Sequence, residues 1–103
     1  MYIMIRSVEM GEGANPGEAV QALVKIGEYL KEKESTEAKV ARNIGGSQNV
    51  LHLVVMTESL DEEPARSAKR ENDPEWQALL GGILEAGIFK PGTLCDKILG
   101  VVG

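Results

Sequence analysis

The chain has 103 residues, 43% hydrophobic and 26% charged, with a formal net charge of −5 at pH 7. That length suits one domain, residues 1–103, built on one core, and the composition is that of an ordinary globular protein. The acidic balance argues against nucleic acid or an anionic membrane as partner, because binding to either rests on Lys and Arg.

A single cysteine, Cys95, cannot form an intrachain disulfide, which suits a reducing, cytoplasmic setting. It falls in an expected strand and reads as a small buried apolar group. The N-terminal residues lack a charged stretch followed by a long apolar run and a cleavage site, so no signal peptide is expected. The apolar stretches are too short to span a bilayer, so no membrane partner is expected.

The first element is a strand over Met1–Met10. One face carries Met1, Ile3 and Ile5, then Ser7 and Glu9; the other carries Tyr2, Met4, Val8 and Met10, interrupted by Arg6. Two apolar faces mark a central strand. A loop over residues 11–14 leads to a helix, where Asn15 can cap, Pro16 suits the first turn and Glu18 sits at the capping-box position. Ala19, Ala22, Leu23, Ile26 and Leu30 form its apolar stripe. The charged run Lys31–Glu37 reads as a solvated exit.

Glu37–Ile44 alternates Ala38, Val40, Arg42 and Ile44 with a polar set, as expected of an edge strand. Residues 45–49 form a hairpin loop, whose Gly45-Gly46 pair permits positive φ. Val50–Thr57 returns as the second central strand. Ser59 is expected to cap a second helix that carries Asp61, Glu62 and Glu63 at its positive end and Pro64 in its first turns. The pattern breaks at Glu71-Asn72-Asp73, and Asp73-Pro74 starts a new helical segment with Trp76, Leu79, Leu80 and Ile83 on one stripe. Gly81-Gly82 within it reads as a weakened helix end, Gly87 as a stop, and Lys90-Pro91-Gly92 as a turn. Thr93–Val102 is the last strand. Basic runs such as Lys69-Arg70 read as solvated surface.

The order strand, helix, strand, strand, helix, strand predicts a four-stranded antiparallel sheet with the helices on one face. Its expected strand order is last, first, third, second. The central strands are apolar on the face the helices leave bare, so a second copy of the chain is expected to cover it, giving a homodimer.

No catalytic or metal motif stands on its own. One histidine and one cysteine cannot assemble a multi-ligand metal centre within the chain, and no cofactor is expected. His52 interrupts the run Val50–Met56. A polar ring in a central strand needs a hydrogen-bond partner, and Arg42 or Asn43 supplies one according to hairpin register. Histidine can exchange a proton near neutrality, so His52 is the candidate catalytic residue; a structural or interface role is the favoured alternative. Arg6 is expected to pair with Glu9, Glu37, Asp96 or the partner subunit, with an anionic substrate group as the other option. Tyr29 and Trp76 are the candidate aromatics for a cavity between helices and sheet, with core packing as the alternative.

Gly45-Gly46, the apolar strand Val50–Met56, Glu58-Ser59-Leu60 opening an acidic helix, and the run Asp73–Leu80 together resemble the dimeric α/β-barrel superfamily. That superfamily includes antibiotic-biosynthesis-type, haem-degrading and stress-responsive members. The resemblance covers residues 44–80 by motif and the whole chain by element order. It implies an α+β, ferredoxin-like βαββαβ subunit whose sheet joins a second to form a barrel, with a ligand pocket between helices and sheet. The haem-degrading branch uses an Asn near the end of the first strand and a Trp and a His in the second helical region. Here the first strand offers Ser7 and the only His lies in the third strand, so that set does not carry over. The implied function is binding of a small apolar or aromatic molecule, with cofactor-independent oxidation or isomerisation as the reaction class. A non-catalytic binding or stress-associated dimer is the alternative. The candidate pocket residues are Trp76, Tyr29, Arg42, Asn43 and Ser7.

Overall fold

The computed structural model describes residues 1–103. It comprises β1 (Tyr2–Glu9), α1 (Pro16–Glu34), β2 (Ala38–Arg42), β3 (Val50–Thr57), α2 (Glu63–Glu71), α3 (Pro74–Glu85) and β4 (Cys95–Gly100). The four strands form one antiparallel sheet in the order β2-β3-β1-β4. The α+β, ferredoxin-like arrangement and the central placement of the two doubly apolar strands are as the sequence predicts. The helical region after β3 is two helices, because Asp73 caps a fresh start: its Oδ1 accepts from the Glu75 N–H at 2.9 Å, and Pro74 follows at the first turn.

Asn15 caps α1 as expected, its Oδ1 accepting from the N–H groups of Gly17 and Glu18 at 2.8 and 3.2 Å. Ser35, in the left-handed region at φ 52°, ends that helix. Ser59 is not a helix cap. Its Oγ accepts from the Asp61 N–H at 3.1 Å in a turn, and α2 starts at Glu63. Strand β4 is shorter than the expected Thr93–Val102. Thr93 follows the Pro91-Gly92 turn, its Oγ1 accepting from the Glu9 N–H at 3.1 Å and donating to the Lys90 carbonyl at 2.7 Å. Strand β2 stops before Asn43, which turns into the hairpin and donates from Nδ2 to the Ser47 carbonyl at 2.8 Å.

The core lies between α1 and the β2–β3 side of the sheet. Leu51, Leu53 and Val55 of β3 face Ala19, Leu23, Tyr29 and Leu30 of α1, with Trp76 closing one end. Gly27 brings α1 close to β2, since a Cβ there would already touch the Ala38 Cβ at 3.6 Å. The β1–β4 side has no such cover. Every residue of β4 is exposed, and only nine of 103 residues are buried. No helix is long and apolar enough to cross a membrane.

Candidate functional site

Strand alternation gives the sheet two chemically distinct faces. On the helix side, Met4, Arg6 and Val8 of β1 sit beside Asp96 and Ile98 of β4. They line a cleft of about 1510 Å³ whose far wall is built by α1, α2 and α3. Trp76 and Leu80 of α3 and Leu23, Ile26 and Leu30 of α1 make its inner wall apolar. The cleft exists because α1 covers β2 and β3, while α2 and α3 stand over β1 and β4 without packing onto them.

Two ion clusters lie in this cleft. Arg6 grips Asp96 with two parallel bonds, Nε to Oδ1 and Nη2 to Oδ2, both 2.8 Å. The bidentate contact with Asp96 raises the Arg6 pKa and lowers that of Asp96. Arg70 donates from Nε to Glu34 at 2.7 Å and from Nη2 to Glu63 at 2.8 Å, with its guanidinium carbon 5.6 Å from the centre of the Trp76 ring. Arg70 and Glu34 are nearly sequestered, their side chains 14% and 11% exposed. Neither is the solvated surface that the runs Lys69-Arg70 and Lys31–Glu37 suggest. Glu63 and Arg70 are two turns apart on α2 and share a face by helical spacing. Glu34 is brought to them only by the tertiary fold.

Tyr29 sits behind the cleft wall. Its ring lies 4.9 Å from that of Trp76, tilted by 47°, and its phenol donates to Asp73 Oδ2 at 2.6 Å. Burial and the acidic partner push the phenol up to about 12, while the same bond, with the Glu75 N–H, lowers the Asp73 carboxyl. Tyr29 thus ties α1 to the start of α3 and packs the core instead of lining the cleft.

Ser7, His52 and Asn43 lie on the helix-free face, where they form one hydrogen-bonded row. The β2–β3 register sets Ala41 opposite His52 and Arg42 opposite Leu51. Arg42 therefore projects from the other face, where it donates to the Gln48 carbonyl at 2.8 Å, and Asn43 reaches His52. Since Asn43 Nδ2 donates to Ser47, its Oδ1 accepts from His52 Nε2–H at 2.6 Å. In the tautomer that carries its proton on Nε2, Nδ1 accepts from the Ser7 hydroxyl at 2.6 Å. His52 is half-buried, not fully buried, because nothing overlies this face of the chain. Of the candidate pocket residues, only Trp76 lines the cleft; Ser7, Asn43 and His52 are separated from it by the sheet, and Arg42 is at the hairpin.

Cys95 pairs with Ser7 across β1–β4 and is exposed, not buried, because β4 is an edge strand open on both faces. No cluster of three or more His, Cys, Asp or Glu side chains is placed to hold a metal.

No family profile and no curated protein matches the sequence. Solved structures do match in fold. A protein from Agrobacterium tumefaciens aligns with 99% of this chain and 94% of its own, at a TM-score of 0.75 and 21% identity. A NIPSNAP domain protein from Burkholderia xenovorans aligns over 99% and 95%, at 0.74 and 13%. A proposed antibiotic biosynthesis monooxygenase from Deinococcus radiodurans aligns over 100% and 94%, at 0.63 and 10%. The chain therefore has the ferredoxin-like fold of these structures, one of which is of the antibiotic-biosynthesis type that the sequence resembles.

Proposed function

We propose that the protein is a homodimeric barrel that binds a small apolar or aromatic molecule in the helix–sheet cleft. The observation that carries this reading is the cleft itself: a concavity with 18 hydrophobic residues among its 34 lining residues and a few convergent polar groups, the usual make-up of a small-molecule site. Its volume exceeds the roughly 300–1,000 Å³ of such sites, in keeping with its exposed β4 rim.

The second copy would pack on the helix-free face. Ile3, Ile5, Val54, Met56 and Leu99 lie there, with Met56 61% and Leu99 42% exposed. An apolar sheet face of this kind favours association. In this arrangement the Ser7–His52–Asn43 row belongs to the interface, and His52 serves assembly instead of turnover.

A second reading, cofactor-independent oxidation or isomerisation of the bound molecule, is favoured by the fold shared with the Deinococcus radiodurans protein. Binding is tested first. Trp76, the only tryptophan, lines the cleft, so its fluorescence reports occupancy, and a ligand of the native state raises the melting temperature. A panel of small aromatics should contain compounds that do both, and Ile83→Arg should abolish both effects. A panel inert at millimolar concentration would remove the binding reading. Oxygen uptake or a changed absorption spectrum with a bound compound would then separate enzyme from binder.

A further inference from the structure

Arg6 is a cation in a central strand, on the helix side of the sheet where it lines the cleft with its side chain 48% exposed. A guanidinium has five N–H donors, and the two bonds to Asp96 use Nε–H and one Nη2–H. Three donors remain, on the end formed by Nη1 and Nη2. Asp96 occupies the side of the fork and so holds the guanidinium plane, leaving its end unpaired at the cleft that Arg6 lines. Such a paired, oriented donor is a recognition element looking for an acceptor.

Charge decides which acceptor. Arg6, Arg70, Asp96, Glu34 and Glu63 are two cations and three carboxylates, bound to one another at 2.7–2.8 Å within two groups. Glu63 also acts on Arg6 through its charge. The group sums to one negative charge, and Arg70 and Glu34 are largely withdrawn from solvent. The other charged lining residues, Lys90, Lys97 and Glu12, are exposed and, like the half-exposed Arg6–Asp96 pair, are screened by water and salt. An anionic ligand head would meet a guanidinium already neutralised by Asp96 and a net negative surround. An uncharged oxygen meets free donors without that repulsion.

We infer that the cleft selects an uncharged carbonyl compound on an apolar, ring-bearing skeleton, with the end of the Arg6 guanidinium donating to the carbonyl oxygen and Asp96 acting as the positioning residue. This inference rests on the cleft being a ligand site. The skeleton lies along Met4, Val8, Leu80 and Trp76. Specificity follows from the unpaired donors, because an acceptor gains a bond to the charged guanidinium that a skeleton without one does not.

Three probes of nearly equal shape test it: 1-indanone, indane and indane-1-carboxylate, with binding followed by ligand-observed NMR. The expected order is indanone tightest, by roughly tenfold or more over indane, which is the size of one bond to a charged donor. The carboxylate should bind more weakly than indanone. Arg6→Met, which keeps the apolar stem, should erase the advantage of indanone over indane while leaving indane affinity within about twofold, because the stem still packs. Asp96→Asn should strengthen carboxylate binding, since it removes one negative charge from the cluster; a purely structural role for Asp96 would not move that preference. Equal binding of indanone and indane to the parent overturns the inference but leaves the cleft as a ligand site. Survival of the preference in Arg6→Met also overturns it. Failure of all three probes to bind the folded parent overturns both this inference and the reading beneath it.

Discussion

At the scale of single residues, the polar groups that the sequence placed awkwardly in apolar strands each have a side-chain partner. His52 is held at both ring nitrogens, by Ser7 and by Asn43. His52→Ala would strand both partners and leave a gap, at a cost of about 1–3 kcal/mol, read as a lower melting temperature. His52→Gln should recover part of this, since a glutamine amide offers a donor toward Asn43. A His52→Ala protein that melts with the parent would show that the row contributes nothing to stability. Tyr29 and Asp73 form the second residue-level device. The phenol is pushed up to about 12 by burial first and then by Asp73, from an ordinary value near 10. Its folded pKa is raised, so its contribution to stability is fully present below about pH 10 and is lost as pH rises through about 12. Asp73 has the opposite sign. Its folded pKa is lowered, first by the Tyr29 bond, so its contribution is present above the ordinary carboxylate range and fades as pH falls through the lowered value. Ultraviolet titration of the phenolate should show one late-titrating tyrosine that disappears in Tyr29→Phe, and in that variant the Asp73 carboxyl, followed by NMR, should move back up.

At the scale of elements, α3 is a helix with a weak interior. It begins with a good cap at Asp73 and anchors itself through Trp76, then carries Gly81 and Gly82 in its later turns. A Cβ built at either glycine meets nothing within 4 Å, so close approach of a backbone is not why they are glycine. Each costs the helix up to about 1 kcal/mol relative to alanine. Gly81→Ala and Gly82→Ala should therefore each raise the denaturation midpoint at unchanged m-value. Destabilisation by either would mean that something absent from the isolated chain packs there. Helix α2 contributes differently: it buries no residue of its own, and it is held by Arg70, which ties Glu63 to Glu34 of α1 across the Trp76 ring.

At the scale of the molecule, the chain is lopsided. Its core sits under α1, while β4 and the helix-free face are exposed. The proposed second copy would cover that face, and light scattering at micromolar concentration should give twice the chain mass of 11.1 kDa. Met56→Lys puts a charge on a face residue that is already 61% exposed in the chain alone. It should leave the subunit folded and shift the mass toward the monomer. A parent protein that is monomeric would refute the dimer, and with it the interface role of His52.

The sequence by itself determined the element order, the sheet order and the side of α1 that is buried, because these follow from local periodicity and caps. Two-sided apolar strands must be central, and the stripe Ala19, Ala22, Leu23 and Leu30 can face only one way. It also singled out His52 and Arg6 as residues needing partners, and named Asn43 and Asp96 among the options. Only the tertiary structure decided between those options. Side chains change face with every residue of a strand, so hairpin register alone gave Asn43 to His52 and turned Arg42 away. The same alternation put Ser7, His52 and Asn43 on one side of the sheet and the cleft on the other. The cleft's charged wall was hidden for a further reason: Glu34 and Arg70 are 36 residues apart and join Glu63 only when α1 and α2 meet, a contact between distant segments that no local pattern encodes.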